Sequence, residues 1–219
     1  HKVSVMPFLD NIDPMAEKIG AVNTIVNDNG VLTGYNTDAT GFLQALAEKA
    51  VELEGMKAVM LGAGGVARAL GFAMADEGAH LVILNRKEEV TWAENLATRI
   101  AKSYDVPVAW GELDRDTVSD ALRDADIVVN ATSVGMSPDA GRTPVDKEFL
   151  CSKMVVFDAV YNPVETRLLR EARQQKAKTI DGLEMLVYQG AAAFEKWTGK
   201  PAPVDVMRQT MLKALHYEK

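Results

Sequence analysis

The sequence has 219 residues, a formal net charge of -7, 47% hydrophobic and 25% charged residues, and a single cysteine, Cys151. That length suffices for one large domain or two small ones, each with a core. An acidic balance without a basic run argues against a nucleic-acid footprint, and one thiol excludes an internal disulfide framework or a Cys-rich zinc site. In chain order, residues 22–27 and 31–36 are short β-like runs, and Asp28-Asn29-Gly30 between them is hairpin-turn chemistry. Residues 39–54 switch to helical spacing, with Phe42, Leu43, Leu46, Ala50 and Leu53 on one stripe. The apolar run 57–61 predicts a strand. A helix follows it that turns Val66, Ala69, Leu70, Ala73 and Met74 inward and stops at Gly78. Further strands are predicted at 81–84, 106–110, 127–130 and 154–157, with a helix at 88–102 and helical stretches between the later strands. Two helices, 183–197 and 203–217, close the chain, separated by 198–203. Apolar strands alternating with helices predict a parallel sheet covered on both faces. With no secretory apolar core and no long apolar stretch, a cytoplasmic protein without a membrane partner is expected.

The turn after the first of those parallel strands reads Gly62-Ala63-Gly64-Gly65-Val66-Ala67. It follows a strand and opens a helix, the context a dinucleotide fingerprint requires. Gly62 permits the tight turn, Gly64 lets backbone approach a pyrophosphate, and Ala67 takes the third small position, where helix and strand pack closely. The helix N-terminus offers free N–H groups to phosphates. A glycine-rich strand–helix turn with no ligand is the plain alternative. The next strand bears on the cofactor. A site for NAD places an acid ~20 residues past the first glycine, on the ribose 2′-hydroxyl. Here the strand ends in Asn85-Arg86-Lys87, two cations and no carboxylate. Arg86 suits a 2′-phosphate, with Lys87 as a second charge; a solvated basic turn is the other reading.

Several short strings together resemble the shikimate dehydrogenase family, in that family's order. They are His1-Lys2; Ile19-Gly20-Ala21-Val22-Asn23-Thr24; Gly34-Tyr35-Asn36-Thr37-Asp38; the glycine loop; Asn85-Arg86; Asn130-Ala131-Thr132-Ser133-Val134-Gly135-Met136; Asp158-Ala159-Val160-Tyr161-Asn162-Pro163; and Gly182-Leu183-Glu184-Met185-Leu186 with Gln189. The resemblance implies a reversible NADP-dependent reduction of 3-dehydroshikimate to shikimate, a step in aromatic amino acid biosynthesis. It implies an α/β fold: a doubly wound parallel, Rossmann-like sheet over residues 38–181, and a second, smaller discontinuous α/β substrate domain from 1–37 and 182–219. Lys2 matches the family's catalytic lysine and Asp38 its partner carboxylate. Asn23, Tyr161 and Gln189, with Lys2 and Asp38, match substrate-contacting positions. Gly62, Ala63, Gly64, Gly65, Val66, Asn85, Arg86, Lys87, Ala159 and Gly182 match cofactor-contacting positions, and Gly135-Met136 falls on a loop expected near the nicotinamide.

The sequence departs from the family in two places. The N-terminal strand that carries a serine pair and a threonine for the substrate is absent, and the chain opens on His1 inside a motif, as a piece of a longer chain would. The family's Asn-Arg-Thr is Asn-Arg-Lys here, which keeps the cation Arg86 and loses a hydroxyl, so NAD stays open as a cofactor.

The chemistry fits these groups. Oxidising a secondary alcohol sends a hydride to the cofactor and a proton to the protein. A lysine beside a carboxylate can hydrogen-bond the developing alkoxide, while the carboxylate orients it and accepts a substrate hydroxyl. By position alone, Lys2 is a solvated chain-start lysine and Asp38 the N-cap of the following helix. His80, His1 and His216 stand apart from one another, so no metal is expected. Two other readings stay open, a quinate/shikimate enzyme that also uses NAD and a non-catalytic nucleotide-sensing module on the same fold; the Lys2, Asn23, Asp38 constellation speaks against a third, a methylene-tetrahydrofolate dehydrogenase relative. A monomer or homodimer is expected.

Overall fold

The computed structural model describes residues 1–215. It opens with a 3-10 turn at Met6–Phe8, a two-residue strand β1 (Asn11–Ile12) and a short helix α1 (Pro14–Ile19). α1 was not expected from apolar spacing. Turn chemistry makes it: Asp13 accepts hydrogen bonds from the Met15 and Ala16 amides, Pro14 starts the helix, and Gly20 ends it at φ +68°. β2 (Thr24–Asp28) and β3 (Val31–Tyr35) pair antiparallel across Asn29-Gly30, both at positive φ, as the turn residues predict. β1 runs parallel to β3 and completes a three-stranded sheet.

Helix α2 (Thr37–Ala47) is shorter than the stripe running to Leu53 suggests. The chain leaves the helix through Ala50 at φ +49°, and the Val51 amide closes back on the Leu46 carbonyl. Val51 and Leu53 are buried from irregular backbone. An irregular chain reaching the same core thus mimicked helical spacing.

The larger sheet contains β4 (Lys57–Leu61), β5 (His80–Asn85), β6 (Val108–Glu112), β7 (Ile127–Asn130), β8 (Val155–Asp158) and β9 (Lys178–Ile180). Its order is β6-β5-β4-β7-β8-β9, and every pairing is parallel. Along β4 the side chains alternate: Ala58 and Met60 join a core with Phe42, Leu70, Phe72 and Phe157, while Val59 and Leu61 join another with Leu84, Val128 and Leu169. The two apolar faces are covered by α3 (Gly65–Asp76) and α4 (Val90–Ser103) on one side and α5 (Arg115–Leu122) and α6 (Arg167–Gln174) on the other. The strand expected at 106–110 lies two residues later. The helix expected from 88 begins at Val90, after a 3-10 turn at Lys87–Glu89.

No helix joins β7 to β8, contrary to expectation. Residues 131–154 form an irregular connection with one 3-10 turn, Lys147–Phe149. Gly135, Pro138, Gly141 and Pro144 punctuate it and suit no helix. β9 was also unforeseen. The chain closes with α7 (Gly182–Thr198) and α8 (Val204–Ala214); the end of the tail helix expected over 203–217, with His216, lies outside the described residues.

The strand order reverses between β4 and β7, so a crevice opens at the C-terminal ends of those two strands. α7 crosses α2 so closely that a Cβ on Gly41 would stand 2.7 Å from the Met185 carbonyl oxygen and the Gln189 nitrogen. That crossing holds the smaller sheet over the crevice.

Candidate active site

The start of α2 gathers the polar residues. Asn36, not Asp38, caps the helix: its side chain accepts from the Asp38 amide at 3.1 Å, and its own amide donates to the Ala21 carbonyl at 3.0 Å. Asp38 is therefore released from capping. One of its oxygens accepts from Lys2 Nζ at 2.5 Å and the other from Asn23 Nδ2 at 2.9 Å. Asn23 Oδ1 in turn accepts from the Thr37 amide, the Thr37 hydroxyl and the Thr24 hydroxyl. Thr37 Oγ1 reaches Gln189 Oε1 at 3.5 Å, and Gln189 Nε2 donates to the Leu186 carbonyl. Lys2, Asn23, Asp38 and Gln189 thus form one network from three separate chain segments.

That network lines a cavity of about 310 Å³ with Val66, Ala159, Tyr161, Gly182, Met185 and Leu186. The Lys2 side chain is 45% exposed and lies at the rim, while the Asp38 side chain is 11% exposed. The lining combines the polar groups of Lys2, Asn23, Asp38 and Gln189 with the apolar side chains of Val66, Met185 and Leu186, the mixture that small-molecule sites show. Thr37, Met185 and Leu186 were not singled out as site residues from the sequence. Thr37 sits between Asn36 and Asp38 in a quoted string, and that proximity was the available signal.

The glycine loop has the form a dinucleotide needs. Gly62 follows β4 at φ +103°, and a Cβ there would stand 3.0 Å from the Ala131 carbonyl oxygen. Gly64 and Gly65 face open space. Gly64 is the N-cap of α3 without any side-chain capping bond, so the helix N-terminus presents its N–H groups free of a side-chain acceptor. The loop separates two cavities. Val66 lines the first, and Ala63, Gly64 and Gly65 line a second of about 280 Å³ with Arg68, Trp92 and Arg99. Gly182 serves close packing: a Cβ there would meet the Ala159 carbonyl oxygen at 2.5 Å.

At the end of β5 the arrangement differs from a bare pair of cations. Asn85 is buried and its side-chain amide donates to the backbone carbonyl of Glu89 at 2.9 Å. Arg86 is paired with the Glu89 carboxylate at 2.5 Å.

A second buried network orders the far side of the crevice. Asp158, at the end of β8, accepts from Thr166 Oγ1 at 2.6 Å, Asn130 Nδ2 at 2.9 Å and the Val160 amide at 3.0 Å. Asn130, at the end of β7, also holds Thr132 and the Val134 carbonyl. The Ser137 amide donates to the Asn162 carbonyl, tying the two loops together. Gly135 (φ +92°) and the exposed Met136 and Tyr161 thus stand on loops anchored to one carboxyl. Burial pushes that carboxyl up to about 6, with the Thr166, Val160 and Asn130 hydrogen bonds opposing. In the sequence, Asp158 and Asn130 stand out only as members of the family-like strings.

Among the described residues, no group of three or more His, Cys, Asp or Glu could hold a metal ion, and no helix is long and apolar enough to cross a membrane.

Comparison with known proteins gives consistent results. The model of the shikimate 5'-dehydrogenase C-terminal domain matches residues 182–212. A shikimate dehydrogenase (NADP(+)) from Methanosarcina acetivorans is 48% identical over 207 residues, spanning 93% of this chain and 72% of the relative. The crystal structure of shikimate 5-dehydrogenase from Listeria monocytogenes in complex with shikimate and NAD superposes with a TM-score of 0.91 at 39% identity, over 96% of this chain and 74% of that one. A quinate dehydrogenase from Corynebacterium glutamicum in complex with NAD gives a TM-score of 0.89 at 35% identity, covering 97% of this chain and 74% of that one.

Proposed function

The chain belongs to the shikimate dehydrogenase family, and on that premise we propose that it catalyses the reversible NADP-dependent reduction of 3-dehydroshikimate to shikimate. NAD is a second usable cofactor. The observation that carries this reading is the Lys2–Asp38–Asn23 constellation facing a 310 Å³ cavity that Val66 of the glycine-loop helix also lines. Residues 1–37 and 182–219 are assigned to substrate binding, and 38–181 to the nucleotide. The open faces of Gly64 and Gly65 at an uncapped helix N-terminus fit a dinucleotide pyrophosphate. Arg86 and Lys87 would hold the 2′-phosphate. The bound cofactor supplies the hydride in one direction and accepts it in the other. An intracellular cofactor of this kind supports a cytoplasmic setting.

The remaining chemistry falls to the chain. Lys2 Nζ donates a hydrogen bond to the ketone oxygen and passes it a proton as negative charge develops there. Asp38 holds Lys2 in place and accepts a ring hydroxyl, and Asn23 keeps the second Asp38 oxygen fixed. Gln189 and Tyr161 close on other substrate hydroxyls. Met185 and Leu186 exclude water from one wall.

The test is steady-state kinetics on the full chain, with the absorbance of reduced nicotinamide read after adding shikimate and NADP. Lys2→Ala should lower kcat by ~10²–10⁴-fold with a smaller effect on KM. Asp38→Asn should damage both parameters, and the double variant should be little worse than the worse single one, since groups acting as a unit are not additive. Unchanged kcat in Lys2→Ala would remove the mechanism. Turnover of quinate with NAD at a higher kcat/KM than shikimate with NADP would favour the quinate reading, towards which the quinate dehydrogenase likeness points.

A further inference from the structure

The turn that follows β5 is electrically self-contained. Arg86 and Lys87 are followed directly by Glu88 and Glu89, so the four side chains sum to zero formal charge. Arg86 caps the 3-10 turn formed by Lys87–Glu89, a geometry in which residues three apart eclipse one another. Arg86 Nη2 meets Glu89 Oε1 at 2.5 Å. Glu89 is held from its backbone as well: its amide donates to the Arg86 carbonyl at 2.9 Å, and its carbonyl accepts from Asn85 Nδ2 at 2.9 Å. The Glu89 side chain is 22% exposed against 66% for Arg86, so the carboxylate is the more firmly placed partner.

We propose that Glu89 sets cofactor discrimination by occupying Arg86 with an internal carboxylate that competes with the 2′-phosphate of NADP. The inference rests on the reading of Arg86 as the phosphate-binding cation. To a guanidinium, a carboxylate and a phosphate present similar acceptor pairs. NADP must therefore displace Glu89 or share Arg86 with it, whereas NAD brings only a neutral 2′-hydroxyl. Glu89 thus narrows the gap between the two cofactors. The hydrogen bond and charge of Glu89 hold Arg86 firmly protonated, and the Arg86 pair draws the Glu89 carboxyl below its usual range, so the pairing persists at neutral pH.

The experiment is direct binding by calorimetry, independent of turnover. Glu89→Gln keeps the shape of the side chain and the backbone contacts and removes the charge. NADP and adenosine 2′,5′-bisphosphate should then bind about 2- to 5-fold tighter, the equilibrium equivalent of an exposed ion pair. NAD and ADP should keep their affinities. The gain should shrink as salt is raised, and it should vanish in an Arg86→Ala background. No gain for NADP, an equal gain for NAD, or a full gain without Arg86 overturns the proposal. Arg86→Ala alone separates the two layers. If it weakens NADP while Glu89→Gln changes nothing, the phosphate reading stands and only the role of Glu89 falls. If it leaves NADP binding untouched, both fall.

Discussion

Asp158 shows how one buried group couples stability to pH. Its partners Thr166, Asn130 and Val160 are all neutral, and burial raises the carboxyl to about 6 from 3.8. A folded-state value above the unfolded one means that the folded protein binds the proton more tightly. The stabilisation is therefore fully present below about pH 4 and is lost as pH rises through about 6. Asp158→Asn keeps an acceptor for Asn130 and the Val160 amide but cannot ionise. Relative to that variant, the native chain should lose up to roughly 3 kcal/mol of unfolding free energy between about pH 4 and pH 7. Denaturant midpoints of both proteins across that window check it, and a pH-independent gap would assign the titration to another group. Positions of this kind are hard to read from sequence, because an aspartate at a strand end looks the same whether it meets water or two neighbouring strands.

At the scale of elements, the crossing of α2 and α7 carries the site. Gly41 lets the two helix backbones touch, and Phe42 next to it packs edge-on against Phe157 of β8, with ring centroids 4.9 Å apart. Gly41→Ala would force a methyl within 2.7 Å of the Met185 carbonyl oxygen and the Gln189 nitrogen, both backbone atoms that have little room to give. A stability loss of about 1–3 kcal/mol is expected from such overpacking. Because Gln189 moves with α7, KM for the cyclic substrate should rise more than kcat falls; thermal unfolding and initial rates check both parts. The alternation of apolar runs with helices made the parallel sheet legible, apart from β9, whose Lys-Thr-Ile carries too little pattern to separate from a loop. The missing helix between β7 and β8 had been inferred from the rhythm of the alternation rather than from residues 131–154 themselves. α1 was legible in its Asp13-Pro14 start and Gly20 stop, and was missed because six residues show no period. The site was legible only in part. The glycine loop declares itself by its place between strand and helix. Lys2, Asn23, Asp38 and Gln189 converge through the α2–α7 crossing, a tertiary fact without local pattern, and only the family resemblance joined them in advance. Glu89 went unread because it lies three positions beyond Arg86 in a turn whose 3-10 geometry no propensity reveals.

On the scale of the whole molecule, the two sheets must hold their relative position to better than an ångström for hydride transfer to a substrate on the other side of the crevice. One linkage is the helix crossing. The second is a pair of arginines. Arg68, one turn into α3, donates to the Ile19 carbonyl at 2.8 Å and the Gly20 carbonyl at 3.2 Å; Arg99, on α4, donates to the Lys18 carbonyl at 2.8 Å and the Ile19 carbonyl at 3.3 Å. They satisfy the carbonyl end of α1, which a six-residue helix cannot satisfy internally. Burial, with the neighbouring Arg99 charge, draws the Arg68 guanidinium below its usual range. Gly20 stands three residues before Asn23, and Arg68 three residues beyond Gly65. The clamp therefore links the nucleotide loop to the residue that steadies Asp38. Arg68→Met keeps the aliphatic stem and removes both hydrogen bonds, leaving the Gly20 carbonyl without a partner and the Ile19 carbonyl to Arg99 alone, at a cost of about 1–3 kcal/mol. Hydrogen exchange should quicken at the amides of Val22, Asn23 and Thr37 as well as within α1, and KM for shikimate should rise with kcat less affected. Arg99→Met, on the outer side of the clamp, should show the same pattern more weakly. Faster exchange confined to α1, with KM unchanged, would reduce the arginines to local caps and remove them from the coupling between the two halves.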